Sequence, residues 1–432
     1  ARIAITLTSA TELGLPIANI SANGTDARSN GSSGAGTVLI KTANQRYGSL
    51  YVKNIARKAV YEHYFPTPCG TTLIPAGENW IFDEIVFSGY GILGIPEGTT
   101  LTLPNGFASV RGSGTTSGIL YNGGSIVASD EENVVIQNKW LFQAIKPYTF
   151  TGNVTVTNGA AIGCLRLLST VAEPRICDVT VKGNMLVGAD SSLFANYSGL
   201  TDNTDHTRFN GFYSHGGQMT IQTNSVYGSI LSPVLPGSPA YHDDTASQFI
   251  GGGVVKLVVD GVLTLDGVAT ATGEGTPDAY KGVGSGGSIN ITAARLLGEG
   301  SISANGGVCN APLASITSIP MLAERGKSVC TAGGRISVRL TDDNAEFSEH
   351  WLTPAAIKAY GGSKAATGAQ TNSLASAGTV YLQSGSDKEG SGTIFVRNNN
   401  LTSTPAKTAI PSTKYNNDES LKAASLSISE AG

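Results

Sequence analysis

Two stretches of this chain gather the residue types of acid–base chemistry. Asp202, Asp205, His206 and Arg208 fall close together, and His242, Asp243 and Asp244 are adjacent. Carboxylates beside imidazole and guanidinium groups can hold calcium or pass a proton to a glycosidic oxygen, the chemistry of polysaccharide lyases and hydrolases. Both sets lie in Gly-, Ser- and Thr-rich sequence, where Asp and His are ordinarily turn formers and solvated surface, and that reading is preferred. Tyr213-Ser214-His215-Gly216-Gly217 places a hydroxyl beside a base but lacks the strand–elbow–helix setting of a serine nucleophile, so a tight corner with a packed His accounts for it better. Gly282–Gly287 is glycine-rich like a phosphate loop, without the Lys-Ser/Thr that such a loop needs. Asp342-Asp343-Asn344 and Asn416-Asn417-Asp418-Glu419 have oxygen ligands for Ca²⁺ without the alternation of a calcium loop. No catalytic, cofactor-binding or metal residue is assigned, no cofactor is expected, and Ca²⁺ is the one ion kept in view.

Five cysteines, Cys69, Cys164, Cys177, Cys309 and Cys330, form no CxxC knuckle and no cluster with His, which argues against zinc. The spacings within Cys164/Cys177 and Cys309/Cys330 suit two disulfides and an oxidising compartment, with Cys69 left over; five reduced, buried thiols are the alternative. Asn-x-Ser/Thr sites stand at Asn19, Asn23, Asn30, Asn153, Asn196, Asn290 and Asn400, candidates for glycans in a glycosylating host. Tyr197, Phe209, Phe212, Tyr213, Tyr227 and Tyr241 crowd one irregular segment. They are read as a stacking platform for a sugar, or else as a satellite core under a long loop.

The elements that must carry these residues are short strands. Among 432 residues, 55 are Gly and only 14% are charged, about twice the usual glycine share and well under the usual quarter of charged residues. Leu, Ile and Val remain plentiful, which argues against disorder. A net charge of −4 gives no reason to expect nucleic acid, and no apolar run is long enough to insert in a membrane. Runs such as Ile85–Gly89, Thr99–Gly106, Asn153–Gly159, Val254–Gly261 and Ser288–Thr292 alternate apolar and polar residues and end in Gly, Asn or Asp, an all-β signal. Gly253, Gly287, Gly334 and Gly378 each precede the pattern residue–aliphatic–residue–aliphatic, at intervals of 34, 47 and 44. Stacked rungs of a parallel β-helix place like residues above like, and variable intervals are then loop length at a corner.

The two ends of the chain are versions of one segment. Arg2-Ile3-Ala4-Ile5, Ala35-Gly36-Thr37-Val38 and Gly48–Asn54 return in order as Arg335-Ile336-Ser337-Val338, Ala377-Gly378-Thr379-Val380 and Gly392–Asn398. A long internal repeat points to quasi-one-dimensional architecture. The abrupt start inside this motif reads as a piece of a larger polypeptide.

The segment from about 211 to 400 resembles a repeat of very large secreted or surface-attached adhesin-like proteins. The resemblance rests on Tyr213–Gly217, Val226–Ser229, Gly251–Leu257, Leu263–Gly267, Gly284–Thr292, Ile302–Gly307, Gly333–Ile336, Ala359–Gly362 and Ala377–Leu382. It implies a parallel β-helix stalk or fibre with no catalytic residues to transfer; the shorter glycine runs and the cysteines here depart from it.

The expectation is an all-β, elongated, right-handed parallel β-helix with loop insertions. Residues 1–54 form a partial repeat homologous to 335–400, residues 55–200 form rungs, and 201–400 form rungs with a Gly/Tyr-rich loop insertion. Residues 401–432 begin a further repeat or form a C-terminal extension. The expected function is that of an extracellular or cell-surface structural and adhesive protein, not an enzyme, continued end to end by identical subunits or covalent neighbouring repeats. Surface glycans are a further candidate partner. The alternatives are a carbohydrate-active β-helix enzyme, lyase or tailspike-like, and a glycan-binding adhesin module.

Overall fold

Alternation of apolar and polar residues between turn formers becomes a short strand wherever the computed structural model describes it. The structure describes residues 1–24, 34–54, 70–165, 176–199, 215–217, 226–239, 250–275, 283–308, 331–362, 375–400, 408 and 424–429. Among them the helical pieces are short 3-10 turns at Ile17–Asn19, Phe107–Ser109 and His350–Leu352. The protein is all-β, its strands mostly paired in parallel, and it divides into two compact units: residues 1–170 with 178–192, and residues 171–177 with 193–432.

In the first unit one sheet runs in the order Arg2–Thr6, Thr37–Lys41, Ser49–Asn54, Glu84–Gly89, Val110–Arg111. Every pairing is parallel except that of Thr37–Lys41 with Ser49–Asn54, which is antiparallel. The expectation of parallel rungs throughout fails at this step for a simple reason: residues 42–48 are too few for a parallel crossover, and a hairpin is what they can make. Gly48, at φ 94°, closes the turn in the left-handed region. Three further parallel ladders follow. One stacks Ile92–Pro96, Gly118–Asn122, Leu141–Ala144 and Ala161–Gly163. Another stacks Asn79–Ile81, Thr100–Leu103 and Ser125–Ala128. The third stacks Asn133–Ile136, Asn153–Val156 and Met185–Val187. Inward residues of successive strands, among them Leu101, Ile119, Phe142 and Val156, are fully buried. Phe107 stacks on Trp140 with centroids 6.4 Å apart and meets Phe142 edge-on at 6.0 Å. On the outside, like residues also stack: Asn153 donates an amide hydrogen to Asn133 Oδ1 at 2.9 Å, and Asn158 to Asn138 Oδ1 at 2.8 Å.

In the second unit Val254–Leu265, Ser288–Leu297, Arg335–Leu340 and Thr379–Gln383 lie side by side in parallel. Val255, Ile289, Ile336 and Val380 share one register line, so the intervals of 34, 47 and 44 in the sequence are the register offsets of this sheet. The glycine before each strand is a steric requirement. A Cβ on Gly287, Gly334 or Gly378 would meet the carbonyl oxygen of Gly253, Gly287 or Gly334 at 2.1, 2.0 and 1.7 Å. The same carbonyls accept hydrogen bonds from the next strand, Ser288 N at 2.9 Å, Arg335 N at 2.9 Å and Thr379 N at 3.2 Å.

Gly334→Ala is expected to cost about 3 kcal/mol through overpacking against a backbone oxygen that cannot move aside. Gly14→Ala, where nothing lies within 4 Å of the added methyl, should stay within about 0.5 kcal/mol of wild type. Chemical denaturation followed by circular dichroism measures both.

Candidate functional site

The acidic and imidazole candidates Asp202, Asp205, His206, Arg208, His242, Asp243 and Asp244 lie outside the described residues, as do Phe209, Phe212, Tyr213, Tyr241, Asn30, Cys69, Cys309, Cys330 and residues 416–419. Asp342 is placed, and its carboxylate is taken by Arg295, which donates from Nε at 2.7 Å. The bond from Arg295 and one from the Asn344 backbone hold that carboxyl below the ordinary Asp value. Among the described residues no three His, Cys, Asp or Glu side chains converge as metal ligands, and no helix is long and apolar enough to cross a membrane.

Cys164 and Cys177 are both buried, and the structure forms no disulfide between them. Cys177 alternates in phase with Val179 and Val181 on Ile176–Val181, an inward position, and Cys164 directs its thiol towards Ala144 O at 3.9 Å. Each serves as a small interior hydrophobe. Of the glycosylation candidates, Asn19 and Asn400 are exposed. Asn23 is half-buried. The Asn153 and Asn196 side chains are engaged with neighbouring backbone amides, Asn184 N at 2.8 Å and Thr272 N at 2.8 Å. Asn290 is buried, which bars a glycan from the folded chain. Tyr197 is half-buried at φ 52°, whereas Tyr227 is wholly buried and cannot take part in a surface stacking platform.

Tyr227 belongs instead to a buried polar cluster that fastens residues 226–239 across the parallel sheet of the second unit. Arg335, with no exposed surface, donates from Nε to Tyr227 O at 2.8 Å and from Nη1 to Thr379 Oγ1 at 2.9 Å. Ser337 Oγ donates to Leu231 O at 2.7 Å, and Ser288 Oγ to Leu235 O at 2.6 Å. Tyr227 Oη donates to Pro236 O at 2.7 Å, and its ring lies 4.7 Å from that of His215. His215 bonds through Nδ1 to Gly286 O at 2.8 Å. Burial, reinforced by the nearby Arg335 guanidinium, lowers the His215 pKa from 6.5 to about 3, so the ring is neutral. Alternating polar residues on the strands signalled an outward face; nothing in the sequence announced that another segment would cover it.

The second notable arrangement is a pair of matching joints. In the first unit Arg2 pairs with Thr37, Val38 with Tyr51 across the antiparallel step, and Ser49 with Glu84. In the second, Arg335 pairs with Thr379, Val380 with Phe395 across an antiparallel step, and Thr393 with Ser425. These are corresponding residues in the same register, but their surroundings differ. Arg335–Leu340 is flanked by Ser288–Leu297 and buried, whereas Arg2–Thr6 closes its sheet with Arg2, Ala4 and Thr6 exposed. In Glu84–Gly89, Ile85 and Phe87 are in the core at 0% and 1% exposure; their counterparts in Ser425–Ser429, Leu426 and Ile428, stand 60% and 61% exposed. Leu7 N bonds to Lys41 O and Thr37 N to Ala1 O, so by the alternation of a parallel ladder Arg2, Ala4 and Thr6 turn their backbone polar groups to the far edge, where no strand among the described residues pairs with them.

No family model, no curated protein and no solved structure matches the chain.

Because His215 takes up a proton more readily unfolded than folded, its contribution to stability is complete above about pH 6.5 and is lost progressively as pH falls towards about 3. The second unit should therefore lose thermal stability across that window. Nuclear magnetic resonance titration of the folded chain should show the His215 ring still neutral at pH 4.5.

Proposed function

We propose that the chain is an extracellular structural and adhesive protein, a right-handed parallel β-helix that builds a surface fibre, stalk or filament by continuing its strand ladders end to end. The duplicated joint carries this reading. Among the described residues no strand pairs with the outer edge of Arg2–Thr6, and Ser425–Ser429 presents Leu426 and Ile428 at positions whose counterparts are core residues. Open edges are templates for further strands, and apolar residues standing free on a terminal strand gain most from a neighbour that continues the core. A covalent neighbouring repeat or a second subunit answers both needs, and a heterologous contact that does not close generates a filament. The resemblance to giant adhesin-like repeats supports the same reading, and the low share of charged residues fits a secreted stalk.

Negative-stain electron microscopy of the native chain should show fibres of uniform width. Ala4→Pro, which deletes an outward N–H from the open edge, and Leu426→Lys combined with Ile428→Lys should each reduce them to short particles without altering the circular dichroism spectrum. Wild-type chain that stays monomeric at high concentration would overturn assembly by separate subunits.

A second reading, binding of an acidic glycan, is favoured by one groove in the first unit. Its volume is about 440 Å³, and Arg111, Lys139, Asn138 and Asn158 line it. Arg111 is ion-paired with Glu84, while the Lys139 stem lies over Gly159, where an added Cβ would come within 3.1 Å of it. Two cations and a pair of stacked amides suit carboxylated or sulfated sugars. Polygalacturonate should be retained at low salt, neutral dextran should not, and Lys139→Glu should weaken retention about tenfold. Equal retention of both polymers would remove this reading.

A further inference from the structure

In an Asn-Gly pair the side-chain amide is open to attack by the next backbone nitrogen, because glycine has no Cβ to shield that nitrogen. Five such pairs fall within the described residues, and in four of them the structure holds at least one of the reacting groups. Gly24 N donates to Asn54 Oδ1 at 3.0 Å. Gly106 N donates to Leu103 O at 3.0 Å, and Asn105 Nδ2 to Asp83 O at 2.9 Å. Gly306 N donates to Tyr360 O at 2.9 Å, while Asn305 Oδ1 accepts from Tyr360 N at 2.8 Å. Asn158 Nδ2 donates to Asn138 Oδ1 at 2.8 Å. The fifth pair, Asn122-Gly123, is held at neither end. Among the described residues no hydrogen bond engages the Asn122 side chain or Gly123 N. Asn122 is half-buried, and Gly123 is exposed at φ 90°.

We infer that, of these five, Asn122 is the site at which the folded chain modifies itself by deamidation. Gly123 N gives its proton to hydroxide and attacks Asn122 Cγ. The bond from Cγ to the amide nitrogen breaks, and that nitrogen takes a proton from water and leaves as ammonia. A five-membered imide remains. Water then opens it at one carbonyl or the other, giving an ordinary aspartate or an isoaspartyl link in which the main chain runs through the former side chain.

The place matters to the fold. Asn122 ends the strand Gly118–Asn122 and pairs with Pro96. Just beyond it Gly124 N bonds to Ile95 O at 3.2 Å and Ser125 N to Thr99 O at 2.8 Å, and Ser125–Ala128 then stacks on Thr100–Leu103. The isoaspartyl route adds a carbon to the main chain at the corner between these two ladders. Either route adds a carboxylate near Glu97, whose Cβ lies 3.7 Å from where a Cβ on Gly123 would stand, and like charges so placed repel. The modified corner is therefore looser than the original, however the chains join end to end.

The full chain is aged in mildly alkaline buffer, digested, and mapped by mass spectrometry for conversion of amide to acid. Asn122 should convert first. The four held pairs should lag about fivefold or more, the factor set by a hydrogen bond that must open before reaction. In denaturant, where only the shared motif remains, all five should convert at similar rates. Conversion at Asn122 no faster than at the held pairs overturns the inference, as does conversion at Asn122 that occurs only in denaturant. Aged wild-type chain should melt at a lower temperature than fresh chain, whereas Asn122→Ser aged alongside should not. Equal loss in both would overturn the proposed loosening at this corner.

Discussion

In the second unit a carbonyl oxygen occupies the place where a side chain would begin. Gly287, Gly334 and Gly378 each accept the backbone of the preceding strand at a distance no Cβ tolerates, and the carbonyls of Gly287 and Gly334 then receive the next strand's N–H. This contact sets how closely the segments entering the sheet approach, and so aligns Val255, Ile289, Ile336 and Val380 on the inner face. It also brings Ser288, Arg335 and Thr379 into line on the other face, where residues 226–239 are fastened. Glycine is entropically costly in a strand, and the cost recurs at each of these positions because the alternative is a wider, unregistered sheet.

That constraint is also why so much of the fold could be read from the sequence. Glycine followed by alternating aliphatics is a pattern that a register line must produce, and spacing it along the chain gave the parallel partners of four strands. The antiparallel steps were harder. Thr37–Lys41 and Ser49–Asn54 look like any two successive rungs in their alternation, and only the shortness of residues 42–48 distinguishes a hairpin from a crossover. The parity of Ile176-Cys177-Asp178-Val179-Thr180-Val181 already places Cys177 inward, as the structure has it. The candidate site was less legible. Tyr227 reads as an exposed aromatic in a Gly-rich loop, and no local pattern records that Arg335, more than a hundred residues on, fixes its carbonyl.

The buried polar cluster shows how such a segment is held without a conventional core. Arg335 brings a full positive charge into a site without water access, beside a neutral imidazole, and is compensated by a backbone carbonyl and a threonine hydroxyl. Burying a charge is tolerable only where such partners are fixed beforehand. The serines at 288 and 337 do the same work more cheaply, each spending one hydroxyl on one carbonyl. The result is an attachment defined by direction as well as by apolar area, which favours one register of the covering segment over its neighbours.

The asparagine stacks of the first unit have a consequence in time as well as in space. Asn158, in the left-handed region at φ 53°, precedes Gly159, the neighbour that least hinders attack of the following backbone nitrogen on a side-chain amide. The hydrogen bond to Asn138 Oδ1 restrains that amide. Were ammonia lost, a carboxylate would face the Asn138 oxygen, acceptor against acceptor, and a donor in the polar spine would become a point of repulsion. A long-lived protein built on such stacks ages from the rung that frays first, and its intact hydrogen bonds are also its chemical preservative.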